Sequence, residues 1–132
     1  MSDAIKLSVK LPAKPREVYE AWLNSEKHTA FTGSPAKIER LVDSEFTAWD
    51  GYISGKNLGL YRFNRIIQSW RSTDFPEAAE DSRVEILIDP IKEGTKVTIV
   101  HTNIPEGDGK KYRKGWKDHY FTPMKAYFST ED

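Results

Sequence analysis

No cysteine occurs anywhere in this 132-residue chain. That absence excludes disulfides, thiolate nucleophiles and cysteine-ligated zinc together, and it fits a reducing compartment. Net charge is missing too, because twenty basic side chains balance twenty acidic ones. A nucleic-acid binder needs a basic footprint. Only one local cluster, Lys110, Lys111, Arg113, Lys114 and Lys117, approaches that description, so no nucleic-acid partner is expected. No apolar run comes near the roughly 18 residues of a membrane-spanning helix. The opening Met1-Ser2-Asp3-Ala4-Ile5-Lys6 also lacks a basic region followed by an apolar stretch. The expectation is a cytoplasmic protein without a membrane span, folded as a single domain over residues 1–132.

Histidine is scarce. His28, His101 and His119 do not fall at the His-x-x-x-His spacing of a metal site, and no metal is expected. A Gly-x-Ser-x-Gly nucleophile elbow is lacking. Gly107-Asp108-Gly109-Lys110 follows a proline loop and does not have the spacing of a phosphate-binding loop. These gaps leave no residue assigned to catalysis and no cofactor.

What is present is a clear change of period along the chain. Ile5, Leu7, Val9 and Leu11 alternate with polar residues, predicting a half-buried strand that Pro12 ends. Pro15 suits the first turn of a helix, on which Val18 with Trp22 and Tyr19 with Leu23 form i,i+4 pairs. Ser25 reads as the N-cap of a second short helix and Gly33 as its stop. From residue 36 the period becomes two. Strands are predicted at 37–41, 45–49, 52–60, 65–71, 84–88 and 97–103, with a two-residue hairpin at Asp50-Gly51, a bulge at Gly55 and a turn from Asp89-Pro90 to Gly94. Short hairpin connections make these strands antiparallel neighbours. Beyond Gly109 a helix runs to about Phe128, with Tyr112, Trp116, Tyr120 and Met124 recurring every four residues. Pro123 has no N–H and crowds the carbonyl of His119, so the helix is expected to kink or loosen there.

Aromatic residues are the positive signal: four Trp, six Tyr and six Phe. Trp49, Trp70 and His101 come from different predicted strands, and Trp116, Tyr120 and Met124 from the helix that crosses them. These six are candidates to line a mainly apolar cavity between sheet and helix. The same side chains serve equally well as ordinary core packing. His101, on the face of Val97 and Ile99, reads either as a buried, hydrogen-bonded histidine or as a polar anchor in such a cavity.

Trp49-Asp50-Gly51 with Gly55, Trp70-Arg71, Phe75-Pro76-Glu77, Gly94-Thr95, Asn103-Ile104-Pro105, Gly115-Trp116 and Tyr120-Phe121 follow one another in order. Together they resemble the family named for the activator of heat shock protein 90 ATPase, homology-domain type, within the START-like or SRPBCC superfamily. That resemblance implies the helix-grip, Bet v-like fold: α+β, a curved antiparallel sheet of about seven strands around a long C-terminal helix, with two short helices after the first strand. In the eukaryotic co-chaperone this domain is joined to a separate N-terminal domain. Phe75-Pro76 stands where that form typically has Trp-Pro. Superfamily relatives bind lipids, polyketides or hormones, and a few are cyclases. The first functional expectation is a non-catalytic domain that binds a hydrophobic small molecule between sheet and C-terminal helix. The alternatives are a co-chaperone-like module that binds a chaperone, and a cyclase or hydrolase with His101 or Tyr120 as its acid or base.

Overall fold

A computed structural model describes residues 2–129. The chain runs β1 (Asp3–Leu11), α1 (Pro15–Trp22), α2 (Ser25–Thr32), β2 (Glu45–Ala48), β3 (Ile53–Tyr61), β4 (Arg65–Ser72), β5 (Ser82–Ile91), β6 (Gly94–Ile104), α3 (Gly109–Trp116), a π turn (Lys117–Phe121) and α4 (Thr122–Ser129). Six strands form one antiparallel sheet in the order β1-β6-β5-β4-β3-β2. The first strand thus pairs beside the last, with a meander completing the sheet. Val84, Ile86, Ile88, Val97 and Ile99 are fully buried, which sets the face on which the terminal helical segments pack.

Several local expectations need correction. The predicted strand at 37–41 is not one: only Lys37 bridges to Thr47, and the chain then turns away. The fully buried Asn57 explains the departure, because its side-chain NH2 donates to the carbonyls of Glu39 (2.8 Å) and Leu41 (3.2 Å). Those carbonyls serve a side chain instead of a ladder, and the sheet has six strands, not seven. The second helix is capped by Asn24, whose side chain accepts from the Lys27 N–H at 2.9 Å. Ser25 instead exchanges hydrogen bonds with the backbone of Ile38. Gly55 pairs regularly with Phe46, and the irregularity in β3 lies between Asn57 and Gly59. Glycine is needed at 55 because a Cβ there would collide with the Ser69 carbonyl oxygen. The turn expected from Asp89-Pro90 to Gly94 lies within that span but is tighter, at Lys92-Glu93, with Pro90 still paired to Thr95. Proline is tolerated there because β4 pairs with β5 only as far as Leu87, so no strand lies beside Pro90 on its other edge.

The hairpin after β2 keeps Asp50 (φ 56°) and Gly51 (φ 90°) at its tip. Trp49 also adopts a positive φ of 54°, so strand pairing ends one residue earlier, at Ala48 and Ile53.

The terminal helix shows how local chemistry sets the site. Pro123 cannot donate to the carbonyl of residue 119, and the preceding turn relaxes to π, with the Thr122 N–H bonding to the Lys117 carbonyl. In an unbroken α-helix, residues twelve apart differ by about 120° in direction. A π turn acts as one inserted residue and reduces that to about 20°. Tyr112, Trp116, Tyr120 and Met124 can therefore all face the sheet, and all four are buried. A sequence period of four is the mark of this mixed helix.

Candidate functional site

Two buried histidines anchor the terminal helix. The Trp116 indole N–H can only donate, and it meets His101 Nδ1 at 3.0 Å. The proton of His101 is therefore on Nε2, which donates to Ser82 Oγ at 2.8 Å. Ser82 passes the chain on, donating to the Trp70 carbonyl at 2.7 Å. His28 has the opposite tautomer. A carbonyl only accepts, so Nδ1 carries the proton to the Trp22 carbonyl at 2.9 Å. Its Nε2 then accepts from the Tyr120 hydroxyl at 3.0 Å. Burial disfavours the charged imidazolium and pulls His28 down to about 4 and His101 to about 3. Burial also pushes the Tyr120 phenol up, with Trp49 acting weakly in the other direction.

Around these anchors the rings pack closely. Trp22 stacks on Tyr120 at 5.1 Å and on Trp116 at 6.2 Å, with Phe31 and His28 closing that side. Trp70 stands edge-on to His101 at 4.7 Å and to Tyr112 at 5.3 Å.

On the other side of the helix the packing opens. A half-open, mainly apolar pocket of about 500 Å³ lies between α3, the π turn, the turn that joins β2 to β3, and strands β3 and β4. Trp49, Trp70, Trp116 and Tyr120 line it, as do Tyr52, Tyr112 and the backbone at Gly115. Every helical residue that lines it precedes Pro123. A Cβ added at Gly115 would meet open space.

The mouth is polar but largely self-matched. Asp74 Oδ2 accepts from Lys111 Nζ at 2.7 Å and from the Tyr52 hydroxyl at 2.6 Å. These two hydrogen bonds hold the Asp74 carboxyl below its ordinary range, and the carboxylate in turn raises Lys111. Lys114 lies 4.0 Å from Asp118. His119 sits edge-on to Trp49 at 5.3 Å.

Four of the six sequence candidates, Trp49, Trp70, Trp116 and Tyr120, therefore meet at one pocket. His101 and Met124 do not: they are 0 % and 1 % exposed and lie inside the core behind it. His101 is the bonded core histidine of the two readings. His28 and Tyr112 escaped notice as a helix anchor and a pocket wall. The signal for Tyr112 was its place on the four-residue stripe; for His28 it was the shared face with Phe31, three residues on. Among the described residues, no group of three or more His, Asp or Glu side chains is placed to hold a metal ion. Nor is any helix among the described residues long and apolar enough to cross a membrane.

Residues 12–129 match the family model described as activator of Hsp90 ATPase homolog 1-like protein. The chain is 30% identical over 128 residues to the activator of 90 kDa heat shock protein ATPase homolog of Dictyostelium discoideum. That alignment covers 97% of this chain and 33% of the relative. The human homolog 1 is 30% identical over 114 residues, covering 86% of this chain and 33% of its own length. The chain thus spans about a third of the curated relatives it matches. Its fold superposes on that of a Plasmodium falciparum protein described as an HSP90 activator, with a TM-score of 0.86, 96% of each chain covered and 21% identity.

Proposed function

Because the chain belongs to the family of activator of Hsp90 ATPase homolog 1-like proteins, we propose that it is a non-catalytic, cytoplasmic protein-binding module whose partner is a 90-kDa heat shock chaperone. The observation that carries this reading is the 30% identity with a protein named for activating that chaperone, sustained over 97% of this chain. The acid–base alternative has little to work with. His101 spends both ring nitrogens on core hydrogen bonds, and the Tyr120 hydroxyl is engaged by His28.

A surface suited to a protein partner lies on β3 and the segment pinned to it. Leu41, Val42, Leu58 and Tyr61 are 58 %, 51 %, 44 % and 48 % exposed. The Asn57 hydrogen bonds hold the segment bearing Leu41 and Val42 against β3, which gives exposed apolar side chains a rigid support. The test is the rate of ATP hydrolysis by a purified 90-kDa heat shock protein titrated with this chain. A saturable rise is expected, and Leu41→Ser combined with Leu58→Ser should require several-fold more protein for the same effect. An unchanged rate at saturating protein would contradict the reading.

A second reading is favoured by the pocket itself. Its volume lies within the roughly 300–1,000 Å³ of small-molecule sites, and its walls are aromatic with few polar groups. A hydrophobic small molecule would bind there. Gly115→Leu should fill the space without unfolding the helix, since leucine is a better helix former than glycine. Loss of ligand-dependent tryptophan quenching in that variant is expected; quenching that survives it would place any ligand elsewhere.

A further inference from the structure

The outer face of the terminal helix gathers basic residues into one stripe. Gly109 begins α3, so Lys110 stands in its first turn, where the aligned peptide dipoles disfavour a cation. No acidic residue occupies that turn, whereas α1 and α2 carry Glu17 and Glu26 in theirs. Arg113 and Lys117 follow Lys110 at i+3 and i+7, so the three lie within about 60° of one another around the axis. In an unbroken α-helix Lys125 would stand about 80° from Lys117; the residue that the π turn inserts reduces this to about 20°. The irregularity that keeps Tyr112, Trp116, Tyr120 and Met124 on the sheet thus also brings Lys125 into line with the other three. All four basic residues are exposed, and the stripe is about 22 Å long at the helical rise.

The chain does not neutralise this stripe. Among the described residues, none of the ion pairs involves Lys110, Arg113, Lys117 or Lys125. Their neighbours Lys111 and Lys114 are the ones matched, by Asp74 and Asp118. Arg113 is held by a neutral group: it donates to the Lys6 carbonyl at 3.1 Å, which fixes the guanidinium without cancelling its charge. Like charges at i,i+3 and i,i+4 repel, as Lys110 does Arg113 and Arg113 does Lys117. A merely solvated face is more stable with mixed signs. Cations set against both the dipole and their own neighbours are a local conflict of the kind expected where charge serves an outside partner. We propose that this stripe docks an acidic segment of a protein partner, with carboxylates spread along about 22 Å. The contact presupposes the protein-binding reading above and adds an electrostatic surface to the apolar one around Leu41 and Leu58. A broad polyanion fits less well, because the chain has no net charge and Asp118 borders the stripe. Duplex nucleic acid or an anionic membrane would press phosphates against that carboxylate.

Lys110→Glu, Lys117→Glu and Lys125→Glu together reverse the stripe and spare the bonded Arg113. A chemical melt no lower than the parent's is expected, because the three sites are exposed and a repulsion is removed; a lower melt would show that the lysines serve the fold and would overturn the docking role. Binding is then read by anisotropy with a labelled polyglutamate of about twenty residues, and by calorimetry with a purified 90-kDa heat shock protein, each at about 50 and about 200 mM salt. Polyglutamate should bind the parent saturably at the lower salt. The triple variant should bind both probes roughly tenfold more weakly there and lose most of the salt dependence. Equal affinity of parent and variant for the chaperone, or polyglutamate that does not distinguish them, would overturn the docking role and leave the protein-binding reading intact. A chaperone that binds neither, with polyglutamate still separating the two, would overturn that reading and support the stripe. A single-stranded oligonucleotide or phosphatidylserine vesicles bound more tightly than polyglutamate would overturn the choice of a protein partner.

Discussion

Tyr120 and Tyr112 lie on one stripe of the terminal helix, about two turns apart, and each is 5 % exposed. Their hydroxyls nevertheless have different fates. Tyr120 reaches across to the helix pair and donates to His28, whose other nitrogen is tied to the Trp22 carbonyl. Tyr112 reaches toward the ends of the middle strands and finds no partner. The helix is sealed on the side of α1 and α2 and open on the side of β3, β4 and the turn before β3. Burial alone does not fix how a polar atom is matched: Trp22 Nε1, on the sealed side, is also buried without a partner, so the open side is marked by its cavity and not by an unmatched atom.

Trp116 belongs to both sides, so its removal should have the largest effect. Trp116→Ala is expected to destabilise the fold by about 3–5 kcal/mol, since it leaves a cavity and also deprives His101 Nδ1 of its donor. A chemical melt measures this, and a loss below about 1 kcal/mol would mean that Trp116 is not packed tightly against Trp22, Tyr120 and His101.

Acid should act next, and on the sealed side. His28 and His101 are held below the ordinary histidine value of 6.5 by burial, at about 4 and about 3. Their contribution is complete above pH 6.5 and is lost as pH falls toward those values, because the unfolded chain takes up protons that the folded chain refuses. Between pH 6.5 and 5 the cost of each histidine should steepen from about 0.7 to about 1.4 kcal/mol per pH unit as the unfolded ring takes up its proton. Denaturant midpoints that stay flat across that interval would show that neither ring is sealed.

The two tyrosines give the matched pair. Tyr120→Phe leaves a buried His28 nitrogen without its donor and should cost about 1–3 kcal/mol. Tyr112→Phe breaks no hydrogen bond and removes an unpartnered buried hydroxyl, so stability should stay unchanged or rise, by up to about 1–3 kcal/mol. Equal costs for the two substitutions would erase the distinction between a sealed and an open side.

Much of this arrangement was legible in the sequence. Alternation placed His101 on the buried face with Val97 and Ile99, and hairpin signals set the antiparallel order. The four-residue stripe identified the inward face of the terminal helix, and Pro123 marked where it loosens. The segment at 37–41 misled because its alternation is only local. Ile38 turns inward, but Leu41 is 58 % exposed, and the carbonyls near it are claimed by Asn57 from β3. The His28–Tyr120 bond joins positions too far apart in the chain for any short-range period to reveal. Nor does spacing separate Met124, sealed in the core, from Trp116, which also borders the pocket. That distinction depends on how far the sheet closes over each turn of the helix.

The binding claim is tested most directly by calorimetric titration of this chain into a purified 90-kDa heat shock protein at neutral pH. A saturable heat of complex formation is the predicted result, weakened when Leu41 and Leu58 are both replaced by serine. No detectable heat, together with a sedimentation profile in which the two proteins move independently, would contradict it.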